Sequence, residues 1–476
     1  MGGAPPGGEP PSMGLRKLLA IWIAKLAVRV SRVFGRGGST FPGTLARRVA
    51  PGILLTLGVQ LPRGVILVTG TNGKTTTARM IAAVLGAAGL RVVHNRSGAN
   101  LITGVTAAFI AGTDWRGRLR ADIGLVECDE ATVPRAVGEL PVRVMLVTNF
   151  FRDQLDRFGE LAHTVELVRS GAARLGPDAG LLLNADDPLV AGIGRSVSLP
   201  ATYYGLEDGR HGVREMAQSR EAKHCLGCGE PYEYSRYFYA HLGHYRCPKC
   251  GQERPQVDVA ATRVDFVDAR GLELAVRSPR GAFTVRAALP GLYNAYNVLA
   301  ATAAGLAAAV EPEAIAAGLA QVTSSFGRME PISISGRRIL IALVKNPAGF
   351  NEVVRTILGD PDPIRLVIAI NDNDADGKDI SWLWDVDFER LAAAGDGIDF
   401  IVTSGTRAED MAVRLKYGGV ETNKITVEDD LTAGLARALR ETASGQTLYI
   451  LPTYTAMLEV RRVVAHLGHA RPFWQA

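Results

Sequence analysis

Residues 64 to 89 read GVILVTGTNGKTTTARMIAAVLGAAG, and this run constrains the fold more than any other stretch of the chain. An apolar segment typical of a buried strand meets a glycine turn, and a helix with an apolar face follows and ends at Gly89. Further apolar segments at 123–127, 142–148 and 181–184 alternate with helical segments. Such alternation predicts a parallel α/β sheet.

The glycine turn has the chemistry of a phosphate-binding loop. Glycines let backbone N–H groups approach phosphate oxygens, and the N-terminus of the following helix favours anions. In TGTNGKTTT, we expect Lys74 to meet the β- and γ-phosphates of a nucleotide and Thr75 to offer its hydroxyl to Mg²⁺. Val68 stands where a standard Walker A motif has its first glycine, so the pattern alone leaves open a chance strand-turn-helix.

A second alternating pattern begins near Arg338, with the apolar segments RILIALV, IRLVIAI, IDFIVT and TLYILP. The Ala-rich segment 294–310 predicts a helix that closes the first pattern. Between residues 204 and 290 the periodicity is lost, which predicts an insertion flanked by short β-like runs. A chain of 476 residues is too long for one core, and its length suggests about three domains.

Four of the five cysteines fall inside the region without periodicity. They form the spacing C-x2-C-x18-C-x2-C: Cys225, Cys228, Cys247 and Cys250. Two such pairs predict four thiolates around Zn²⁺ in a reducing compartment rather than disulfides. A site closed by four thiolates has no open position for substrate, so we expect a structural zinc ribbon. His241 and His244 lie between the pairs and are expected to be surface or packing residues.

The blocks around the phosphate loop resemble the Mur ligase superfamily, which includes the ATP-dependent Mur ligases and folylpolyglutamate synthetases. VECDE, TNFFRDQLDRFGEL, LNADDP, GLYNAYNVLAA and GRME follow GTNGKTT in the order of that superfamily. The resemblance implies that Glu127 binds Mg²⁺ with Thr75. It also implies a set of ATP-binding residues: Gly70, Thr71, Asn72, Gly73, Lys74, Thr75, Thr76, Asn294, Asn297 and Arg328.

The resemblance implies a fold of two α/β domains. We expect a tail and a basic amphipathic helix in residues 1–45. A Mur ligase-like central P-loop ATPase domain follows in 46–330, with the inserted zinc ribbon at 220–256. Residues 331–476 are expected to form a Rossmann-like α/β C-terminal domain.

The chain departs from the superfamily at several positions. Gln154 replaces the histidine of the D-H-L-D block, and no lysine lies between Lys74 and Lys223 to be carbamylated. The D-Y-A-H-N-P block is reduced to VKNPAGFNE, which keeps only Asn346 and Pro347. A second magnesium site of the usual kind is therefore not expected, and the usual anchors of an incoming amino acid are missing.

Within the superfamily the whole pattern is similar to the MurT family, the synthetase subunits of lipid II isoglutaminyl synthase. This likeness implies ATP-dependent amidation of the D-glutamate α-carboxylate in the lipid II stem peptide, through an acyl phosphate. Cys128 stands between two acids that raise a thiol pKa, so the chain is a poor glutaminase. The resemblance supplies ammonia from a GatD-like glutamine amidotransferase in a heterodimer. It also implies that Asp379 orients that partner's catalytic histidine.

Other readings of these features stay open. The chain is alternatively a ligase that still adds an amino acid, or a nucleotide-gated scaffold without chemistry. Asp379 is alternatively a helix cap, and Trp382 and Trp384 are interface anchors or core residues. The stretch NDNDADGKDISWLWD (371–385) imitates the opening of a calcium loop but has Leu383 where the closing Glu belongs.

The N-terminal helix is expected to be basic and amphipathic. Its longest apolar run, 18–24, is too short to span a bilayer, and the helical pattern continues through Lys25, Arg29 and Arg32 without a cleavage site. It either packs on the body or contacts a membrane surface or partner. A net charge of +5 is too small to indicate nucleic acid binding. We expect a cytoplasmic enzyme that acts at the inner face of the membrane.

Overall fold

The computed structural model describes residues 13–33, 40–96, 99–152, 161–214, 222–267, 271–323 and 328–466. Three helices precede the first sheet: α1 (Leu15–Val33), α2 (Phe41–Val49) and α3 (Ile53–Gly58). Helix α1 packs on the body through Ala20, Ile21 and Ala24, which are fully buried. No helix in the described part of the chain is both long and apolar enough to cross a membrane.

The first half of the described chain has eleven strands, of which nine form the first sheet. The strands of this half are β1 (Val65–Thr69), β2 (Val92–His94), β3 (Ile123–Glu127), β4 (Val142–Val147), β5 (Gly180–Asn184), β6 (Ala201–Leu206), β7 (Glu233–Tyr239), β8 (Leu242–Arg246), β9 (Val259–Val267), β10 (Gly271–Ser278) and β11 (Gly281–Ala287). Their order in the sheet is β11-β10-β9-β6-β5-β4-β1-β3-β2, while β7 and β8 pair as a separate hairpin. The predicted parallel sheet is confirmed, because β1 to β6 pair in parallel.

Within the described residues, seven helices accompany this sheet. They are α4 (Lys74–Ala87), α5 (Ile102–Ala111), α6 (Val133–Glu139), α7 (Leu161–Ala172), α8 (Pro188–Ser196), α9 (Leu292–Ala307) and α10 (Pro312–Ala320). The sheet is buried on both faces by two large apolar clusters. This is why β1 and β3 are uninterrupted apolar runs in the sequence.

The loss of periodicity between residues 204 and 290 was only partly an insertion. Strands β9 to β11 extend the main sheet, with β9 parallel to β6 and with antiparallel pairing from β9 to β11. Buried and partly exposed positions tend to alternate along β10 and β11. Such half-covered strands lack the continuous apolar runs that mark the buried parallel strands.

The second sheet has six strands in the order β12-β13-β17-β14-β15-β16. The strands are β12 (Arg328–Ile334), β13 (Arg337–Ala342), β14 (Ile364–Ala369), β15 (Ile398–Ser404), β16 (Ile425–Val427) and β17 (Thr447–Pro452). The helices are α11 (Pro347–Ile357), α12 (Glu389–Ala393), α13 (Ala408–Tyr417), α14 (Leu431–Glu441) and α15 (Tyr454–His466). All strand pairs are parallel except β12 with β13. The second predicted α/β unit is therefore present, and its exact bounds stay a prediction.

Candidate functional site

The phosphate loop lies between β1 and α4, at the carboxyl edge of the sheet where β1 is flanked by β3 and β4. Ligands of such sheets bind at this edge. Gly70 and Gly73 have φ angles of +118° and +85°, which disfavour other residues. A Cβ on Gly73 would lie 2.2 Å from Oδ1 of Asn297, so the loop also needs glycine for close approach.

Asn297 supports the loop from α9. Its Oδ1 accepts a hydrogen bond from Thr77 Oγ1 at 3.2 Å, and its Nδ2 donates to Asn294 Oδ1 at 3.0 Å. Asn294 in turn donates to the carbonyl of Pro290 at 2.6 Å. Both asparagines are buried, and their expected contact with adenine stays a prediction.

Lys74 begins α4, and its ammonium group turns toward the loop. It donates to the carbonyl oxygen of Gly70, and it lies 3.2 and 3.4 Å from the two carboxylate oxygens of Glu130. Burial is the largest single influence and would raise the pKa of Glu130, but the charges of Lys74 and Lys345 and hydrogen bonds to the carboxylate together outweigh it, and the pKa is lowered. The lysine charge is therefore held at the phosphate loop by a buried carboxylate.

Thr75 and Glu127 meet as the magnesium prediction requires. Thr75 Oγ1 donates to Oε1 of Glu127 at 2.9 Å, and Glu127 is 3% exposed. The backbone of Glu127 is fixed by Asn95, which accepts from its N–H and donates to its carbonyl. A hydroxyl and a carboxylate beside a phosphate loop are the hard oxygen donors that suit Mg²⁺. The two residues fit that ion, and its binding stays a prediction.

The second α/β unit contacts the loop directly. The side-chain amides of Asn72 and Asn346 exchange hydrogen bonds of 3.4 and 3.1 Å. Lys345 donates to the carbonyl of Thr71 at 3.3 Å. Lys345 and Asn346 of the reduced block VKNP therefore lie against the expected triphosphate site, although 274 positions separate each from its partner in the loop.

The remaining predicted ATP residues differ in how well they are defined. Thr71 and Thr76 are buried, and Thr71 Oγ1 accepts from the N–H of Phe151 at 3.0 Å. The side chain of Arg328 lies outside the described part of the structure, as does Gln154.

The four cysteines converge between the ends of the β7–β8 hairpin. Their sulfur atoms all lie within 4.8 Å of one another, with 3.5 Å for Cys225–Cys250 and for Cys228–Cys247. Four thiolates bound to Zn²⁺ at about 2.3 Å would have nearly this spacing. Among the described residues, this is the only group of three or more potential ligands that converge in this way. The cluster can hold a metal ion, and zinc stays the predicted one.

Equivalent turns hold the two cysteine pairs. Gly229 donates its N–H to the carbonyl of Cys225, and Gly251 does the same to Cys247. Both glycines have φ near +75°. His244 Nε2 donates to the carbonyl of Leu206 at 2.9 Å, and His241 is fully buried against the ring of Phe151. Neither belongs to the converging group of potential ligands.

The acidic stretch 371–385 does not gather its carboxylates. Asp376 accepts hydrogen bonds from the N–H and hydroxyl of Thr455, at the start of α15. Asp372 pairs with Arg407 at 2.9 Å. These two carboxylates bind separate partners within the chain and do not converge on one point. The stretch therefore does not form a calcium loop.

Asp379 is exposed and lies just before a short 3-10 helix, Ser381–Asp385. It accepts a hydrogen bond from the N–H of Ser381 at 2.8 Å, and bonds from Ser381 lower its pKa. The capping contact is thus present, while its exposure leaves the carboxylate accessible to another chain. The two tryptophans differ in burial: Trp382 is partly buried and packs beside Phe350 against the core, and Trp384 is 56% exposed beside Tyr417.

Two charged residues of this site were missed by sequence reasoning. Glu130 is the last residue of the VECDE block, and only the turn after β3 brings it to Lys74. Lys345 stands in the motif VKNP, and its position at the phosphate loop depends on how the second sheet packs. The signal available in the sequence was a charged residue within each matched block, Glu130 in VECDE and Lys345 in VKNPAGFNE.

Two family models match the chain. The model described as the Mur ligase middle domain matches residues 68–227, and the model described as MurT ligase C-terminal matches residues 343–457. Together they cover the phosphate loop, the first cysteine of the cluster and most of the second α/β unit.

Two relatives of similar length carry the same name. The MurT subunit of the glutamine-hydrolysing lipid II isoglutaminyl synthase from Staphylococcus aureus strain COL is 36% identical over 446 residues, 93% of this chain and 96% of that relative. The subunit of the same name from Streptococcus pneumoniae strain R6 is 34% identical over 463 residues, 95% of this chain and 98% of that relative.

Solved structures of lower identity show the same fold. A pseudomurein peptide ligase type C from Methanothermus fervidus has a TM-score of 0.67 at 24% identity, over 87% of this chain and 80% of that one. Folylpolyglutamate synthase from Mycobacterium tuberculosis, complexed with ADP and AMPPCP, has a TM-score of 0.60 at 16% identity, over 96% of each chain. These likenesses confirm a Mur ligase-like α/β fold.

Proposed function

Because the chain belongs to the MurT family of lipid II isoglutaminyl synthase subunits, a branch of the Mur ligases, we propose that it uses ATP to amidate the D-glutamate α-carboxylate of the lipid II stem peptide. The product is D-isoglutamine. The chain is a ligase of peptidoglycan biosynthesis, and the names of its relatives describe a subunit of a complex.

ATP binds at the phosphate loop in this proposal. The N-terminus of α4 and the loop N–H groups hold phosphate oxygens, and Lys74 and Lys345 face the β- and γ-phosphates from opposite domains. Thr75 and Glu127 would hold Mg²⁺, which neutralises charge on the triphosphate when bound. Each of the two predicted units, 46–330 and 331–476, therefore contributes one lysine to the nucleotide site.

The reaction has two steps. A carboxylate oxygen of D-glutamate attacks the γ-phosphorus, the bond to the β-phosphate oxygen breaks, and ADP leaves. Ammonia then attacks the carbonyl carbon of the acyl phosphate, loses a proton and expels inorganic phosphate. Lys345 supports this sequence, because a cation close to the γ-phosphate stabilises charge that develops on the transferred group.

The ammonia comes from a partner chain in this proposal, a GatD-like glutamine amidotransferase. Cys128, the one cysteine outside the zinc cluster, is fully buried, and burial raises its pKa far above the usual value. A thiol in that state is a poor nucleophile. The exposed carboxylate of Asp379 orients the catalytic histidine of the partner chain in this proposal. The zinc ribbon at 220–256 has a structural role and takes no part in the reaction.

The observation that carries the proposal is the contact between the phosphate loop and the block VKNP. Lys345 and Asn346 lie where related ligases keep a D-Y-A-H-N-P block, and no Asp or His remains there to anchor an amino acid. Ammonia needs no such anchor.

The test uses the purified chain with its amidotransferase partner, lipid II in detergent, Mg-ATP and either glutamine or ammonium. With the partner present, glutamine should drive release of ADP and gain of one amide on the stem peptide. Without the partner, ammonium should drive the same reaction and glutamine should not. If free amino acids drive ATP turnover and neither nitrogen source does, the chain is a ligase that adds an amino acid.

The same assay tests Asp379. Asp379→Asn keeps an oxygen that can cap Ser381 but removes the charge, so it should abolish glutamine-dependent amidation and retain the ammonium-dependent reaction. Asp374→Asn, at another exposed acid of the same loop, is the matched control and should retain both. Equal loss with both nitrogen sources would contradict the assignment.

A further inference from the structure

Helix α1 exposes an apolar stripe on the side that faces away from the body of the protein. Its members are Leu15, Leu19, Trp22, Ile23 and Leu26, each at least 40% exposed. The spacing of 15, 19, 22 and 26 places these residues on one helical face. The opposite face supplies the buried contacts with the body, so α1 is apolar on both sides. Water-facing helix sides normally carry polar residues.

The stripe belongs to a fixed element. Arg16 Nε donates to the carbonyl of Val49 at 2.6 Å, Trp22 Nε1 donates to the carbonyl of Trp115 at 2.9 Å, and Lys25 Nζ donates to the carbonyl of Thr113 at 2.6 Å. These bonds tie the helix to two different segments. The exposed apolar residues are therefore held in one orientation.

Basic residues and a second tryptophan surround the stripe. Trp115 is half-exposed, and Lys25 and Arg29 lie 5.5 and 5.1 Å from its ring centre. Arg116 and Arg118 follow in the same exposed loop. We name these residues and the stripe together the α1 surface.

The charge of the α1 surface is strongly one-sided. Across residues 15–29 and 113–120 there are seven basic residues and one acid, Asp114, which pairs with Arg120. The basic residues are Arg16, Lys17, Lys25, Arg29, Arg116, Arg118 and Arg120. Two copies of this chain that met face to face here would bring like charges together, which disfavours a symmetric dimer.

We propose that the α1 surface docks the protein onto an anionic lipid bilayer. The apolar stripe and the two tryptophans would enter the interface between headgroups and acyl chains, while the lysines and arginines contact lipid phosphates. This inference deepens the proposed function and rests on it. Docking would hold the enzyme on the same membrane that carries its lipid-linked substrate.

Binding is tested by co-sedimentation of the full chain with vesicles. Vesicles of equal parts phosphatidylglycerol and phosphatidylcholine should bind the chain, pure phosphatidylcholine should bind it weakly, and added salt should reduce the difference. Leu19→Ser with Leu26→Ser should weaken binding at least about tenfold, because two exposed side chains lose apolar transfer energy. Arg116→Ser with Arg118→Ser should weaken it about fivefold per arginine at low salt.

The matched control is Val413→Ser with Val427→Ser, two valines of similar exposure in the second α/β unit, which should bind vesicles like the unmodified chain. The proposal is overturned if both α1 variants bind as well as the control. It is also overturned if they instead abolish a concentration-dependent dimer that forms without lipid.

Amidation in two formats separates this proposal from the proposed function. The α1 variants should amidate lipid II in detergent at the unmodified rate and lipid II in vesicles more slowly. Normal vesicle binding without amidation in either format would count against the proposed function and leave the docking surface standing. Equal rates in both formats for all variants would remove the docking surface and leave the enzyme.

Discussion

The ammonium nitrogen of Lys74 lies 3.2 Å from Oε1 of Glu130, and both side chains are about nine-tenths buried. Lys74 is also the residue proposed to meet the triphosphate. A carboxylate and a phosphate therefore compete for the same cation, and in this low-dielectric position the competition is strong. Glu130 links the stability of the fold to the occupancy of the phosphate loop.

We expect Glu130→Gln to show this link. Without nucleotide the variant leaves Lys74 buried and short of its counter-ion, so the free energy of unfolding should fall by about 3 kcal/mol. Mg²⁺ with a non-hydrolysable ATP analogue supplies negative charge to Lys74 and should restore most of the loss. The measurement is urea unfolding of the variant and the unmodified chain, with and without the analogue.

Glu139→Gln is the control for that experiment. Glu139 on α6 pairs with Arg47 on α2 at 2.6 Å, and both side chains are largely buried. Neither residue belongs to the phosphate loop. Its loss of stability should be the same with and without the analogue. If the analogue stabilises both variants equally, Glu130 does not compete with the nucleotide.

Lys345 should act on the transferred phosphate more than on the rest of the nucleotide. Lys345→Met removes the cation that the second α/β unit places beside Thr71, and we expect ATP turnover to fall about a hundredfold. Affinity for ADP should change much less, because ADP lacks the γ-phosphate. Isothermal titration with ADP and with a non-hydrolysable ATP analogue separates the two effects.

The control for Lys345 is Lys378→Met, an exposed lysine whose partner is the exposed Asp374. It should leave ATP turnover and both affinities unchanged. A parallel loss of ADP and analogue affinity in Lys345→Met would instead indicate that the residue holds the domains together rather than the γ-phosphate.

The cysteine cluster makes a prediction about metal content. The unmodified chain should carry one zinc ion by elemental analysis, and Cys247→Ser should lose it along with several kcal/mol of stability, because structural zinc binding is coupled to folding. Cys128→Ala is the matched control, since Cys128 is equally buried but far from the cluster in the sheet core. Zinc retained in Cys247→Ser, or lost in Cys128→Ala, would contradict the assignment.

The sequence predicted the buried parallel strands well and the half-covered ones badly. The segment 123–127 matches β3 residue for residue, because a strand covered on both faces is an uninterrupted apolar run. Strands β9 to β11 carry exposed residues among buried ones, and the same region contains the cysteine turns. Their place at the edge of the main sheet depends on pairing with β6, which no local pattern encodes.

The site divides in a similar way. The resemblance implied that Thr75 and Glu127 lie together, and they do, because Glu127 ends β3 beside the start of α4; their binding of Mg²⁺ stays a prediction. The contact of Asn72 with Asn346 joins residues 274 positions apart and depends on how the two α/β units pack. The contact of Glu130 with Lys74 could not be predicted, because it depends on the turn after β3. A hydrogen bond from Ala131 N–H to the side chain of Asp129 shapes this turn as a short 3-10 helix.

Glu352 gives the molecule a pH-dependent stability that can be measured. It lies on α11 and is 5% exposed, no described group hydrogen-bonds to its Oε2, and Arg355 is 3.7 Å from Oε1. Burial, only partly offset by Arg355, raises its pKa from 4.5 to about 6. The folded chain therefore holds this proton more tightly than the unfolded chain. The ionised carboxylate destabilises the fold above pH 6, and this effect fades as the pH falls toward 4.5.

Glu352→Gln should therefore stabilise the protein at neutral pH and stabilise it less in acid. A raised pKa of this size corresponds to about 2 kcal/mol of stabilisation near pH 7.5, falling to about 1 kcal/mol near pH 5. Urea unfolding of the variant and the unmodified chain at both pH values measures the difference. Glu441→Gln, at an exposed pair with Arg437, should change stability by less than about 0.5 kcal/mol at either pH. A loss of stability in Glu352→Gln at neutral pH would mean that the ionised carboxylate has a favourable partner, and that Arg355 outweighs burial.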